Sequence, residues 1–339
     1  MLTMIIPTMN RSDFLIRLLN YYANTNYKHW IIIGDSSDAR HIEKTINAIK
    51  GLKGKLKIIH REYPGLSNIE CAQQMTQLIS TPYAVFIADD DFLVSNGLEQ
   101  SVAFLEKHQG YIAAHGVATR FSLQSSGPYG QFAGSSNYRL PSVEADTASQ
   151  RILNYLDNYS VTLFCVHRTK CWRTMFKDAA SLTDKSFGGE LLPCCLSVIQ
   201  GKVKQLDCLY LLRQDHTGRY LLPNVGDWIN SPNWEPSYKV FCDRLAEELV
   251  RQDDITFNEA KSIVEQGFRS YLDKFHGNYA RIKATAKYIP GMKYALRVAK
   301  SVWQNRLGEF SLSMLLNPSS PYHRDFMPVY RAVTRPPEL

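Results

Sequence analysis

The sequence predicts an α/β protein with a mixed, mainly parallel sheet, helices on both faces of the sheet and a helical C-terminal region. In the first half, short apolar segments alternate with amphipathic segments, and polar turns separate them. Such alternation is typical of parallel β-α-β units, whose sheets are covered on both faces. Past about residue 222 the alternation gives way to long stretches with helical periodicity.

Four buried strands are predicted before residue 90, and their segments are LTMII (2–6), HWIIIG (29–34), KLKIIH (55–60) and YAVFIA (83–88). Pro7 is expected to end the first strand. One helix is predicted at 12–22, where Phe14, Leu15 and Leu18 fall on one face, and another at 68–80.

The later elements follow the same logic. Further strands are predicted at YIAAHG (111–116), VTLFCVH (161–167) and VKQLDCLYLLR (203–213). Residues 122–142 are rich in Ser, Gly, Pro and Tyr and are predicted to form a long loop. Helices are predicted at 237–252 and 256–275, the second with a capping box formed by Thr256 and Glu259.

The composition favours a folded protein with an anionic ligand or surface as its partner. The 339 residues are 45% hydrophobic and 21% charged, with a net charge of +7. No 18-residue apolar run occurs, and MLTMIIPTMNR lacks the basic start of a signal peptide, so we expect a cytoplasmic protein without a spanning helix. The seven cysteines are expected to be reduced and buried, in preference to a zinc site at Cys165, His167 and Cys171.

The most informative segment is VFIADDDFLV (85–94), where Asp89, Asp90 and Asp91 follow the fourth predicted strand. Three adjacent carboxylates repel one another unless something neutralises them. Ligands of open α/β sheets bind beyond the carboxyl ends of the strands, where PTMNR (7–11) and GDSSD (34–38) should also lie. Mg²⁺ or Mn²⁺ prefers such oxygens and often bridges carboxylates to substrate phosphates, so the run predicts a metal–diphosphate site rather than a solvated acidic turn.

Three blocks, LTMIIPTMNR, WIIIGDSSD and FIADDDFL, together resemble the opening of GT-A glycosyltransferases of family 2, and the resemblance covers roughly residues 1–220. It implies a nucleotide-diphosphate sugar as donor, with a UDP-sugar as first choice, and Mn²⁺ or Mg²⁺ as cofactor. By position it implies nucleotide or ribose contacts for these residues: Pro7, Thr8, Arg11, Asp35, Ser36, Asp89 and Asp90. It implies metal contacts for Asp91, Asp89 and His216, and a second register would make Asp90 the ligand.

The chain departs from this family pattern at two places. Gly34-Asp35 stands where the family has paired aspartates, and the acceptor stretch TDKSFGGELLPCCLSVIQGK (183–202) has Glu190 without a following Asp. The Gln-x-x-Arg-Trp motif of processive members is absent, so the resemblance implies transfer of one or a few sugars.

Attack by an acceptor hydroxyl requires a general base, and the leaving diphosphate requires positive charge. Glu190 and Asp184 are the candidate bases. His216 is the candidate beside the metal or diphosphate, Arg213 and Arg219 are weaker phosphate candidates, and His115 is expected to be structural.

Residues 277–306 carry seven basic side chains and no acid. Within 290–306, Leu296 and Trp303 fall on one helical face, while Lys293, Arg297 and Lys300 fall on the other. This pattern predicts contact with an anionic membrane surface, and the alternative is a helix packed on the catalytic domain with a solvated basic face. No recognition motif accompanies the charge, so nucleic acid is not the expected partner.

The predicted organisation is a catalytic domain at 1–220, with a nucleotide-sugar half at about 1–115 and an acceptor half at about 116–220. A mainly helical region at 221–339 follows, for membrane or acceptor contact. The predicted function is an inverting, metal-dependent transfer of sugar to a glycan or lipid-linked acceptor. The alternatives are a sugar nucleotidyltransferase, disfavoured because PTMNR has no glycine, and a non-catalytic protein that binds nucleotide sugars.

Overall fold

The computed structural model describes residues 1–177, 182–219, 223, 225–286 and 311–336. These residues form a nine-stranded sheet flanked by helices. The strands are β1 (Leu2–Thr8), β2 (Trp30–Asp35), β3 (Lys57–Glu62), β4 (Tyr83–Phe86), β5 (Phe92–Leu93), β6 (Tyr111–Leu123), β7 (Phe132–Tyr138), β8 (Val166–Arg168) and β9 (Lys202–Asp215).

Seven helices belong to the sheet-bearing part and five follow it within the described residues. The first seven are α1 (Ser12–Asn24), α2 (Ala39–Gly51), α3 (Asn68–Thr76), α4 (Ser95–Lys107), α5 (Ala148–Asp157), α6 (Thr169–Phe176) and α7 (Leu192–Gln200). The later ones are α8 (Val225–Ile229), α9 (Trp234–Gln252), α10 (Phe257–Ala286), α11 (Leu312–Leu316) and α12 (His323–Thr334).

The sheet has the order β3-β2-β1-β4-β8-β6-β9-β5, and β7 pairs with β6. The four strands from β3 to β4 are parallel, whereas β8 runs antiparallel to both β4 and β6. One hydrophobic cluster joins the sheet to α3, α5, α6, α7, α9 and α10, and a second joins it to α1, α4, α11 and α12. The predicted mixed, mainly parallel sheet with helices on both faces is confirmed.

Pro7 does not end β1, and the hydrogen bonding explains why it is tolerated inside a central strand. The carbonyl of Ile5 accepts the N–H of Ile87 on the β4 side, and the carbonyl of Thr8 accepts the N–H of Ser36 on the β2 side. Because backbone groups alternate along a strand, Pro7 faces the β4 side, and the pairing with β4 stops at Ile5. The absent N–H therefore ends the pairing with β4, while the pairing with β2 continues through Thr8.

Two later predictions were wrong. The predicted loop at 122–142 contains the end of β6 and all of β7, an edge strand of small and polar residues that shows no apolar alternation. Phe132 of β7 stacks on Tyr330 of α12, a contact distant in sequence, at 5.3 Å between ring centroids. In the apolar run at 161–167, Thr162–Phe164 form a 3₁₀ turn, and only Val166 and His167 join β8.

The C-terminal helical prediction is confirmed for α9 and α10. The capping box exists, because the Thr256 N–H donates to Glu259 Oε2 (2.8 Å) and the Glu259 N–H donates to Thr256 Oγ1 (3.3 Å). In the described ranges none of the helices has the length and apolar character needed to cross a bilayer. The predicted basic helix at 290–306 lies outside the described residues.

Candidate functional site

The carboxyl ends of β1, β2 and β4 lie at one edge of the sheet, and side chains tie their turns together. Asn10, after β1, adopts φ 56°, a left-handed conformation that asparagine tolerates well. Its N–H donates to Ser37 Oγ (2.7 Å) and its Oδ1 accepts the N–H of Asp38 (2.8 Å). The turns after β1 and β2 are therefore held in a fixed relation.

Asp35, Ser36 and Pro7, the residues predicted to contact the nucleotide, all lie at this edge. Asp35 is fully buried, and its carboxylate accepts hydrogen bonds from the N–H of Ser37 (3.0 Å) and from His60 Nε2 (3.2 Å). Burial opposes ionisation of Asp35, but these hydrogen bonds outweigh it and lower the pKa of the carboxyl group.

Asp89 and Asp90 share Arg11 as a cationic partner. Asp89 Oδ2 accepts hydrogen bonds from Thr8 Oγ1 (2.7 Å) and Arg11 Nε (3.3 Å), and Arg11 Nη2 pairs with the other oxygen. Asp90 Oδ2 lies 2.9 Å from Arg11 Nη1 and 2.9 Å from His216 Nε2. The first two carboxylates are thus joined to the turn after β1 and, through His216, to the end of β9.

Asp91 faces a different set of partners. Its Oδ2 accepts from Arg213 Nε (3.0 Å) and its Oδ1 accepts the backbone N–H of Gln214 (3.0 Å), both on β9. Only 2% of the residue is exposed. Both of its oxygens are therefore engaged by the protein itself.

These contacts separate the acidities of the three carboxyl groups. Burial raises the pKa of Asp89 and of Asp91, although Arg11 and Arg213 respectively act in the opposite direction. Burial also opposes ionisation of Asp90, but the hydrogen bond from His216 and the charge of Arg11 lower its pKa to about 2. Asp90 is consequently the carboxylate of the three that is most firmly ionised.

Arg17 of α1 is hydrogen-bonded to the backbone of the acidic turn. It is buried, and it donates to the carbonyl oxygens of Asp90 (2.7 Å) and Pro128 (2.7 Å) and to the side chain of Gln214. Its guanidinium also lies 4.6 Å from the ring centroid of Phe92. Sequence reasoning missed Arg17, because an arginine on the buried face of an amphipathic helix gives no signal without its partners.

Glu190 lies in a π-helical turn at Phe187–Leu191, directly before α7. Its Oε1 accepts a hydrogen bond from the hydroxyl of Tyr159 (3.0 Å). Burial raises the pKa of Glu190, and both Tyr159 and the charge of Arg213 lower it in part. A buried carboxyl group with a raised pKa near a cationic side chain is a candidate for a general base.

Asp184 makes contacts of a structural kind. Its Oδ1 accepts the N–H groups of Ser186 (2.9 Å) and Phe187 (3.0 Å), and its Oδ2 accepts the indole N–H of Trp228 (2.9 Å). Both oxygens thus cap the turn that carries Glu190 and fasten it to α8. The structure does not bring Asp184 together with the acidic triad in any hydrogen bond or ion pair of the described residues.

An arginine that sequence reasoning missed, Arg120 of β6, lies beside Arg213 of β9 in the parallel register. Both guanidinium groups lie against the ring of Tyr138, at 4.9 and 4.8 Å from its centroid. Arg219, a weaker phosphate candidate, pairs with Asp215. His115 is buried, and its Nδ1 bonds to the carbonyl of Gly116 (2.8 Å), in agreement with the structural role expected for it.

Metal-binding potential is limited to pairs of ligands. Within the described ranges, His, Cys, Asp and Glu nowhere gather in threes around a point that could hold an ion. The predicted set of Asp91, Asp89 and His216 is not brought together: Asp89 pairs with Arg11, Asp91 pairs with Arg213, and His216 contacts Asp90 instead. Asp90 and His216, 2.9 Å apart, do offer an oxygen and a nitrogen donor. Such a pair suits a cation that takes its remaining ligands from water and substrate phosphates.

All seven cysteines are free and buried. Burial raises the pKa of Cys71, Cys165, Cys171, Cys194, Cys195, Cys208 and Cys242. The expectation of reduced, buried thiols is confirmed, and none of them has the depressed pKa of a reactive thiolate.

Neither a protein-family model nor a curated protein sequence matches the chain. Solved structures do resemble it. S. aureus TarS 1–349 in complex with UDP-GlcNAc aligns with a TM-score of 0.53 at 14% identity, over 85% of this chain and 76% of that one. A longer TarS structure aligns with a TM-score of 0.51 at 13% identity over 81% of this chain, which spans 43% of that one. At such identities the likeness concerns the fold, and it confirms the predicted GT-A-like α/β architecture.

Proposed function

We propose that the protein is a metal-dependent, inverting and non-processive glycosyltransferase. In this proposal it moves a sugar from a nucleotide-diphosphate sugar to a glycan or lipid-linked acceptor. The observation that carries the proposal is the pairing of Asp90 with His216 at the carboxyl edge of the sheet. Asp90 also contacts Arg11 after β1, and the adjacent Asp91 contacts Arg213, whose charge lowers the pKa of Glu190.

The nucleotide is assigned to the edge formed by the first two turns. Pro7 and Thr8 end β1 and Arg11 follows it, and Asp35 ends β2 and is followed by Ser36, so we expect a base and a ribose to lie along these two strand ends. Asp35 is fully buried and both of its oxygens accept hydrogen bonds, so we assign to it the role of fixing the turn that a base or ribose would meet. UDP is the preferred nucleotide because TarS, which shares the fold, binds UDP-GlcNAc and UDP in its structures.

Asp90 and His216 are the proposed ligands of Mg²⁺ or Mn²⁺. The donor diphosphate would supply further oxygens, and the bound cation would neutralise charge on the leaving group. Asp91, the ligand expected from the family resemblance, is less suited because both of its oxygens already accept hydrogen bonds. We assign to Asp89 the role of holding Arg11 and Thr8 in place.

Glu190 is the proposed general base. It would take the proton from the acceptor hydroxyl, the oxygen would form the bond to the anomeric carbon, and the bond to the diphosphate would break on the opposite side. Such an in-line displacement inverts the anomeric configuration. The contacts of Asp184 favour Glu190 for this role, because Asp184 already binds two backbone N–H groups and an indole.

Donor binding tests this assignment directly. Calorimetry with UDP should show binding that requires Mg²⁺ or Mn²⁺, and Asp90→Asn should abolish the metal requirement together with most of the affinity. Asp91→Asn, the matched control, should retain metal-dependent binding, because Asp91 faces Arg213 and the backbone. Loss of metal-dependent binding in Asp91→Asn but not in Asp90→Asn would move the site to Asp91.

Turnover tests the second half of the assignment. Glu190→Gln should bind UDP normally and lose about 10²–10⁴-fold in sugar transfer, the usual contribution of general-base catalysis. A screen of UDP- and GDP-sugars for slow donor hydrolysis would identify the sugar before an acceptor is known. A folded wild-type protein that binds no nucleotide diphosphate with either metal would overturn the proposed function.

The membrane contact expected for residues 290–306 remains a prediction from the sequence. If it holds, the acceptor is lipid-linked, because docking places the enzyme where that acceptor is concentrated. Co-sedimentation with anionic vesicles at low and high salt tests it, and failure to bind at low salt would remove it.

A further inference from the structure

Arg120 is a cation without an anionic partner inside the acceptor half of the protein. It sits on β6 opposite Arg213 of β9, and both guanidinium groups contact the ring of Tyr138. Like charges on adjacent strands destabilise a sheet unless a counter-charge is present. The question is what balances the second of the two positive charges.

Arg213 has its own partners, whereas Arg120 does not. Arg213 pairs with Asp91 at 3.0 Å and donates from Nη1 to the hydroxyl of Tyr138 at 2.9 Å. Across the described part of the chain, Arg120 takes part in no side-chain hydrogen bond or ion pair, and its Nε is buried without an acceptor. Burial and the charge of Arg213 lower the pKa of Arg120, while Tyr138 and the charge of Asp91 act in the opposite direction without any direct bond to the guanidinium from Asp91.

A partly buried guanidinium with no acceptor is costly, so such a group is normally found where a ligand completes its bonding. Guanidinium is planar and binds phosphate and carboxylate through two parallel hydrogen bonds. Tyr138 contributes a flat support against which the plane of Arg120 is held. The arrangement therefore fits an anionic group.

The position of the cluster indicates which substrate would bring that anion. Tyr138 and Arg213 both lie close enough to Glu190 for their charges to influence one another. The proposed metal pair has other neighbours, because Asp90 contacts His216 and Arg11 rather than Arg213. An anion on Arg120 would thus lie towards the base and its acceptor hydroxyl.

We propose that Arg120, supported by Tyr138 beside Arg213, binds a phosphate or carboxylate group of the acceptor. This inference rests on the proposed function, since it takes Glu190 as the base that marks the acceptor side. It narrows the acceptor to an acidic glycan or a phosphate-bearing one. A neutral glycan would leave the arginine unsatisfied.

The test uses the full chain saturated with UDP and Mg²⁺, so that the donor subsite is filled. Inorganic phosphate and acetate are titrated separately as probes of the two anion types. We expect one of them to bind, and Arg120→Gln to weaken that binding by about tenfold or more, as for loss of a charge-assisted hydrogen bond. Arg120→Lys should restore part of the affinity, and Arg335→Gln, directly after α12, should leave it unchanged, which controls for loss of one positive charge.

Three results would overturn the inference. The first is that neither anion binds the wild-type complex, and the second is that Arg120→Gln binds the anion as well as the wild type does. The third is that Arg120→Gln loses affinity for UDP. The last result would place Arg120 on the donor diphosphate. A wild-type protein that binds no nucleotide at all contradicts the proposed function instead, and the anion titration can then be run on the free protein. Thermal unfolding of each variant confirms that it is folded.

Discussion

At the scale of single residues, adjacent carboxylates coexist here because each of them pairs with a basic side chain. Asp89 meets Arg11, Asp90 meets Arg11 and His216, and Asp91 meets Arg213. Protein cations therefore perform much of the neutralisation that the sequence assigns to a metal. The remaining candidate for a metal ligand is Asp90, whose Oδ2 contacts Arg11 and His216, whereas both oxygens of Asp91 accept hydrogen bonds.

Tyr159 is predicted to set the pH dependence of turnover through Glu190. The hydroxyl of Tyr159 donates to the carboxylate and so favours the charged form, which lowers the pKa against the raising effect of burial. A base must be deprotonated, so activity rises with pH through the pKa of Glu190. Tyr159→Phe should raise that pKa further and move the acid limb of kcat to higher pH.

The measurement is kcat from pH 4 to 9 for the wild type, Tyr159→Phe and Tyr155→Phe. Tyr155 lies beside Tyr159 but its hydroxyl donates to the carbonyl of Ser160, so its variant controls for loss of a neighbouring buried hydroxyl. An acid limb shifted to lower pH in Tyr159→Phe, or unchanged from the wild type, would contradict the role of Tyr159. UDP affinity should not change in either variant.

The residues missed by sequence reasoning share one property. Each lies beside a residue distant in sequence: Arg17 donates to Gln214, Arg120 lies opposite Arg213, and Tyr159 donates to Glu190. No local pattern encodes such pairs. The turns after β1, β2 and β4 were predictable because parallel strands bring their carboxyl ends to one edge whatever the details of packing.

At the scale of elements, the close packing of α3 on β2 explains why glycine occupies position 34. A Cβ added at Gly34 would lie 2.4 Å from Cys71 Sγ and 2.7 Å from Met75 Sδ, both buried side chains of α3. The family pattern has an aspartate at this place, which the helix leaves no room for. The departure from the pattern is thus a packing feature.

Gly34→Ala should lower the free energy of unfolding by about 1–3 kcal/mol, the usual cost of overpacking a core. Gly34→Asp, which restores the family pattern, should cost more because it also buries a carboxylate. Gly51→Ala is the control, since a Cβ there meets nothing within 4 Å. Urea denaturation measures all three, and a Gly34→Ala variant as stable as the wild type would show that Cys71 and Met75 yield freely.

Elements were predictable where their signal is local. Apolar runs indicate the parallel strands β1 to β4. Helical periodicity indicates α9 and α10, and a capping box marks the start of α10. By contrast, β7 is defined by pairing with β6 and by aromatic contacts to α12. The three residues of β8 are defined by pairing with β4 and β6, both of which run antiparallel to it. For those strands the deciding interactions are distant in sequence, so the sequence indicates a loop at β7 and misplaces the bounds of β8.

At the scale of the whole molecule, α12 ties the C-terminal residues to the sheet edge that carries the proposed site. Phe326 is fully buried, and its ring contacts Phe132 of β7 at 5.7 Å between centroids. The carbonyl of Val333 accepts the N–H of Gly130 (2.9 Å). The same hydrophobic cluster contains Leu15 of α1, the helix that begins directly after Arg11.

We therefore predict that Phe326→Ala weakens UDP binding as well as the fold. Removing a buried phenylalanine side chain costs about 3–5 kcal/mol of unfolding free energy, and here the cavity would form beneath α1. Because α1 positions Arg11 and Arg17, metal-dependent affinity for UDP should fall even at temperatures where the variant remains folded. Phe257→Ala is the matched control, as Phe257 is 41% exposed and its loss should change stability by less than about 0.5 kcal/mol. Calorimetry with UDP and Mg²⁺, run beside urea denaturation, separates the two effects. A destabilised Phe326→Ala that binds UDP as the wild type does would show that the site is insulated from α12, and that the C-terminal helix stabilises the molecule without shaping its ligand edge.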